Sequence, residues 1–103
     1  RTLLIVDCEG CEYEILDPVI APKLAEADLL VEIHDFDSSS RISDSLQSRF
    51  AGTHDIAAIE SEPRRPEDHP LVSVLPDAAS RQLAVIERIG TQRWFHLRSR
   101  MRT

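Results

Sequence analysis

The sequence predicts an α/β protein built on a layered sheet. Short apolar runs recur along the chain, segments with helical spacing lie between them, and proline, serine or glycine marks the boundaries. The resulting order is strand, helix, strand, helix, strand, helix, strand, the alternation of a sheet flanked by helices.

Leu3-Leu4-Ile5-Val6 is a continuous apolar run, the pattern of a strand buried on both faces in a parallel sheet. Cys11, Ile15, Leu16, Val19 and Ile20 then fall at helical spacing, and Pro18 and Pro22 are expected to break that helix near Asp17. Leu29-Leu30-Val31-Glu32-Ile33 reads as a second buried strand, ending at His34-Asp35. Ser38-Ser39-Ser40 supplies the start of a helix whose Ile42, Leu46 and Phe50 line one face, and Gly52 ends it. His54 to Glu60 gives a third strand. Glu62 to Pro70, with three prolines among charged residues, reads as an exposed loop. Asp77 is placed to cap a helix carrying Ala79, Leu83 and Ile86, which stops at Gly90; Gln92 to Arg98 is the last strand.

A chain of 103 residues is one domain at most, with a modest core. Its 42% hydrophobic and 29% charged residues describe a soluble globular chain rather than a disordered one, and no apolar run reaches the ~20 residues of a membrane span. Arg1 precedes the first strand directly, without a methionine or leader, so residues 1–103 read as a partial domain cut from something longer. The net charge of −6 is uneven: residues 1–37 carry ten acids against Arg1 and Lys23. That half would repel phosphate backbones, which argues against nucleic acid as a partner. Arg93, Arg98, Arg100 and Arg102 read as a solvated terminus. Two cysteines make no disulfide framework, so a reducing, cytoplasmic setting is the default.

The chemistry concentrates in Val6 to Leu16, VDCEGCEYEIL. Cys8 and Cys11 stand where a strand meets a helix, as a redox pair would, but Asp7, Glu9, Glu12 and Glu14 crowd the turn and disfavour a thiolate. Zinc would need further ligands from His34, Asp35 or a distant histidine. The bland reading has both cysteines filling space between strand and helix. Parallel pairing of the first two strands would bring Asp7 and Glu9 to the same rim as His34 and Asp35, where ligands bind in open α/β sheets. Alternatively Asp7 and Glu9 only favour a helix N-terminus. Gly10 permits the tight turn, and Glu32 inside an apolar strand calls for a buried partner. No G-x-G-x-x-G turn is present.

LLIVDCEGCEYEIL followed by LLVEIHDF resembles the FkbM-like S-adenosylmethionine-dependent methyltransferases. Asp7, Glu9, Gly10 and Glu12 fit that family's Asp-x-Glu-Gly-x-Glu pattern, and Val31, Glu32, Ile33 and His34 fit its Val-Glu-Ile-His. The match covers residues 2–36 and is topological afterwards, and the segment Pro63 to Gly90 departs from the compact fold. The resemblance implies the C-terminal part of a Rossmann-like class I methyltransferase sheet, strands four to seven, with the last strand antiparallel. It implies the spatial order first, second, fourth, third for the strands seen here.

It further implies O-methylation of a small-molecule or glycan hydroxyl by a longer chain, the isolated piece being inactive. S-adenosylmethionine would be held mainly by the missing N-terminal half, so none of these residues is assigned to it. His34 would be the catalytic base, with Asp7 and Glu9 beside it, and Asp7 and Asp35 could hold Mg2+. Two other classes stay open. One is a non-catalytic assembly module, dimerising through the unprotected apolar edge at Leu3 to Val6; the other is a Cys-x-x-Cys thiol or zinc protein.

Overall fold

A computed structural model describes residues 1–35, 40–62, 65–85 and 92–101. Ile86, Gly90 and the serines Ser38 and Ser39, read above as helix signals, lie outside them. The chain forms two compact units, Arg1–Glu60 with Arg93–Thr103, and Ser61–Gln92.

In the first unit four strands form one mixed sheet: β1 (Leu3–Val6), β2 (Asp28–Ile33), β3 (His54–Glu60) and β4 (Arg93–Ser99), in the order β1-β2-β4-β3. β1 and β2 pair in parallel, Val6 opposite Val31, whereas β4 runs antiparallel between β2 and β3, with Val31 opposite Phe95. The order and directions agree with the expectation stated above. The core lies on one face of the sheet. Leu29, Val31 and Ile33 alternate on β2, Phe95 and Leu97 on β4, and Leu46 and Phe50 of helix α2 (Arg41–Phe50) join them in the same buried cluster. The period of two in these strands meets the helical period near four that Ile42, Leu46 and Phe50 carried in the sequence.

Three local expectations fail. β1 is not buried: it pairs only with β2 among the described residues, and Leu3 and Ile5 remain 55% and 67% exposed. A continuous apolar run is buried on both faces only when elements cover it, and β1 is the edge here. The first helix, α1, is a single turn, Glu12–Ile15; the 3-10 turn Pro22–Glu26 begins at proline. Of its apolar set only Leu16 enters the core, while Val19 and Ile20 face solvent. Nor does a serine side chain cap α2. Asp35 does so across a gap in sequence, accepting the Ile42 N–H at 3.0 Å and the Ser43 hydroxyl at 2.5 Å.

α1 is too short to hold its shape alone, since one turn leaves its terminal carbonyls without helical partners. Arg49 of α2 supplies them, donating from Nη1 to the carbonyls of Tyr13 and Leu16. The guanidiniums of Arg41 and Arg49 also stack on the Tyr13 ring, 4.3 and 4.6 Å from its centre. α2 thereby fixes the turn that follows β1.

In the second unit, Glu62 to Pro70 is not wholly irregular: Pro66–Asp68 forms a 3-10 turn and Pro70–Val74 another follows. Helix α3 spans Ala78–Val85, and the Asp77 carboxylate accepts the Ser80 N–H at 2.7 Å, the cap its sequence promised. Leu83, one of the apolar residues expected on this helix, is 70% exposed.

Candidate functional site

Asp7 and Glu9 follow β1 and His34 follows β2, so the parallel pairing places all three at the carboxyl ends of neighbouring strands. The turn between β1 and α1 is tight. Glu9 takes φ 56° and Gly10 φ 111°, and Cys11 N–H reaches back to the Cys8 carbonyl at 3.4 Å. Left-handed backbone suits glycine and is uncommon for glutamate.

Doubling back brings the Cys8 and Cys11 Cα atoms to 5.4 Å, within disulfide range, and the two form a disulfide. The reading of both cysteines as separate packing residues is thereby corrected. Four residues that look too close to staple distant elements can still close a ring on themselves.

His34 is buried and is the centre of the site. Its Nδ1 lies 2.6 Å from Oε1 of Glu12, a carboxylate with 0% exposure. With Glu12 as a carboxylate, which only accepts, the proton of this contact belongs to Nδ1. The same Oε1 accepts the Gly10 N–H at 3.3 Å and lies 3.8 Å from Cys8 Sγ. Glu12 Oε2 is buried without a hydrogen bond among the described residues.

Three further carboxylates converge on the other ring nitrogen. Nε2 is 3.6 Å from Asp7 Oδ1, 3.6 Å from Glu9 Oε2 and 3.7 Å from Glu32 Oε1. These distances exceed a hydrogen bond. Asp7 and Glu9 are half-open to solvent, whereas Glu32 is buried, so the cluster has a wet rim and a dry floor.

Of the residues expected at the site, Asp7, Glu9 and His34 come together and Asp35 does not, since both its carboxylate oxygens serve α2. Glu12 and Glu32 join in its stead. Glu32 announced itself as a charge inside an apolar strand. Glu12 belonged to the acidic pattern, but nothing in the sequence told its buried role from that of a surface glutamate.

Among the described residues the group able to hold a cation is Asp7, Glu32 and His34, whose donor atoms lie within 4.8 Å of one another. Ligands about 2.1 Å from a tetrahedral ion stand about 3.4 Å apart, close to the 3.6 and 3.7 Å from His34 Nε2 to Asp7 and Glu32. Glu12 on Nδ1 is the outer-sphere partner that metal-bound histidines commonly have. An imidazole in the set suits zinc or manganese better than Mg2+, which prefers oxygen and keeps its waters.

His54, the histidine that could have served a distant zinc set, sits at the amino end of β3 instead. Its Nε2 meets the Ala27 carbonyl at 2.7 Å, its Nδ1 meets Thr53 Oγ1 at 2.8 Å, and its ring stands edge-on to Phe50. It is a structural residue. An open pocket of about 390 Å³ between Leu4, Ala21, Leu24 and Ala27 also lies at the amino ends of the strands, away from the cluster.

Fold and site together define an α/β sheet protein with an imidazole–carboxylate cluster at the carboxyl ends of two parallel strands. No protein-family model matches the chain, and no curated protein or solved structure is significantly similar to it. Among the described residues no helix is long and apolar enough to cross a membrane.

Proposed function

We propose that this chain is the C-terminal part of an FkbM-like methyltransferase sheet and that, in the longer protein, its cluster serves O-methylation of a small-molecule or glycan hydroxyl. The observation that carries the reading is the Glu12–His34–Asp7 arrangement at the carboxyl ends of β1 and β2, beside an antiparallel β4 inserted next to β2. Glu12 as acceptor of the Nδ1 proton makes Nε2, buried close to Asp7, Glu9 and Glu32, the nitrogen assigned as the base. That is the geometry of a general base, with Asp7 and Glu9 placed to accept hydrogen bonds from the hydroxyl and orient it. S-adenosylmethionine, bound by residues outside this chain, would supply the methyl group. A divalent cation, if one binds, would be held by Asp7, Glu32 and His34 and would polarise the acceptor oxygen in place of the base.

The test is turnover of the longer protein with labelled methyl donor. His34→Gln should lower kcat by about 10²–10⁴-fold; unchanged turnover removes His34 from the mechanism. The isolated chain should not bind S-adenosylmethionine, and micromolar binding in calorimetry would contradict the division of labour. A cytoplasmic setting belongs to the same proposal and would make the Cys8–Cys11 bond a reducible one.

The exposed edge of β1 favours a second reading, assembly of two copies strand to strand. Sedimentation that finds only monomer at high concentration ends it.

A further inference from the structure

We propose that Cys8 and Cys11 are a reversible dithiol–disulfide site whose state is passed to His34 through Glu12. The inference rests on the cluster described above and adds regulation to it. Three features carry it. The disulfide closes the turn that bears Asp7, Glu9 and Glu12, so three of the carboxylates around His34 belong to or flank one four-residue ring. Both left-handed residues, Glu9 and Gly10, lie inside that ring. And Cys8 Sγ stands 3.8 Å from the very oxygen of Glu12 that receives the His34 Nδ1–H.

The exchange partner is a dithiol. Its thiolate attacks one sulfur of the Cys8–Cys11 bond, forming a mixed disulfide and releasing the other cysteine as a thiolate, which takes a proton. The second thiol of the partner then displaces the first cysteine, leaving two thiols here and a disulfide on the partner. Both cysteines are partly exposed, so a small dithiol reaches them. The surrounding acids disfavour thiolates, which stabilises the closed form and makes the exchange slow rather than forbidden.

Opening the ring changes both sides of the imidazole. A disulfide sulfur has no proton, whereas the reduced Cys8 presents an S–H to Glu12 Oε1, a third donor on an oxygen already shared by Gly10 and His34. Drawing charge from Oε1 weakens its bond to Nδ1. On the other side, Glu9 loses the closure that holds it at positive φ, a conformation glutamate rarely adopts, and its relaxation withdraws a carboxylate from Nε2.

The experiment uses this chain without any methyl donor, so its failure and that of the methyltransferase reading are told apart. Alkylation and mass measurement before and after dithiothreitol count reactive thiols, and proton NMR follows the His34 Nδ1–H resonance. The expected result is no alkylation before reduction, two adducts after it, and a resonance that moves by more than its linewidth and returns once the reductant is removed and oxidised glutathione is added. In Cys8→Ser/Cys11→Ser the resonance should ignore the reductant. The proposal is overturned if oxidised glutathione, after removal of the reductant, fails to close the pair in the wild-type chain. It is equally overturned if the pair opens and closes while the resonance stays where it was.

Discussion

Replacing Glu12 with alanine tests the centre of the site. The carboxylate has 0% exposure and holds the Nδ1–H of an imidazole that is itself 3% exposed, at 2.6 Å. Losing the acceptor strands a buried donor, which costs about 1–3 kcal/mol, more where the lost bond was charge-assisted. The vanished methylene adds about 0.8 kcal/mol. Relief from burying a carboxylate runs the other way and offsets part of this. A net loss of about 2–3 kcal/mol is expected, which for a domain of this size lowers Tm by roughly 8–24 °C. Glu12→Gln keeps a carbonyl acceptor and should lose only about 1 kcal/mol, the difference between a charged and a neutral bond. Urea unfolding at neutral pH measures both, and nitrogen NMR of His34 reads the tautomer. A Glu12→Ala chain within about 0.5 kcal/mol of wild type, or one whose His34 keeps its proton on Nδ1, would refute the claim that Glu12 positions this imidazole.

Other expectations follow from the same geometry. Phe50 has no exposed surface and packs among Leu46, Phe95 and Leu97, so Phe50→Ala should cost about 3–5 kcal/mol in denaturant unfolding. The Arg1 guanidinium, bonded to Asp28 at 2.8 and 3.0 Å, and then the Ser99 N–H hold the Asp28 carboxyl down at about 2 from 3.8. A depressed carboxyl gives stability that is complete above the unfolded value and lost as pH falls through the folded one. Wild type should therefore lose stability relative to Asp28→Asn between pH 3.8 and about 2, in acid-unfolding curves recorded side by side. Zinc or manganese should bind the chain in calorimetry, and Asp7→Asn combined with Glu32→Gln should weaken that binding at least tenfold while Asp35→Asn does not; equal loss in both would show that the cation ignores the Asp7–Glu32–His34 set.

The sequence by itself determined the alternation of strands and helices, the bounds of β3 to the residue, and the meeting of Asp7, Glu9 and His34 at one rim. These follow from periodicity and from parallel pairing, which depend on local residue order and on the polarity of two strands. Only the tertiary structure decided the rest. Leu3–Val6 has the composition of a buried strand, yet burial depends on what covers it, and of its four residues only Val6 packs against the core. Asp35 and Glu12 are both acids beside the predicted rim; the packing of α2 drew Asp35 away as a helix cap, and the Arg49 clamp on α1 turned Glu12 inward. The Cys8–Cys11 bond depended on Glu9 adopting a backbone conformation that glutamate rarely takes, and no local preference announces a choice that the surrounding structure imposes.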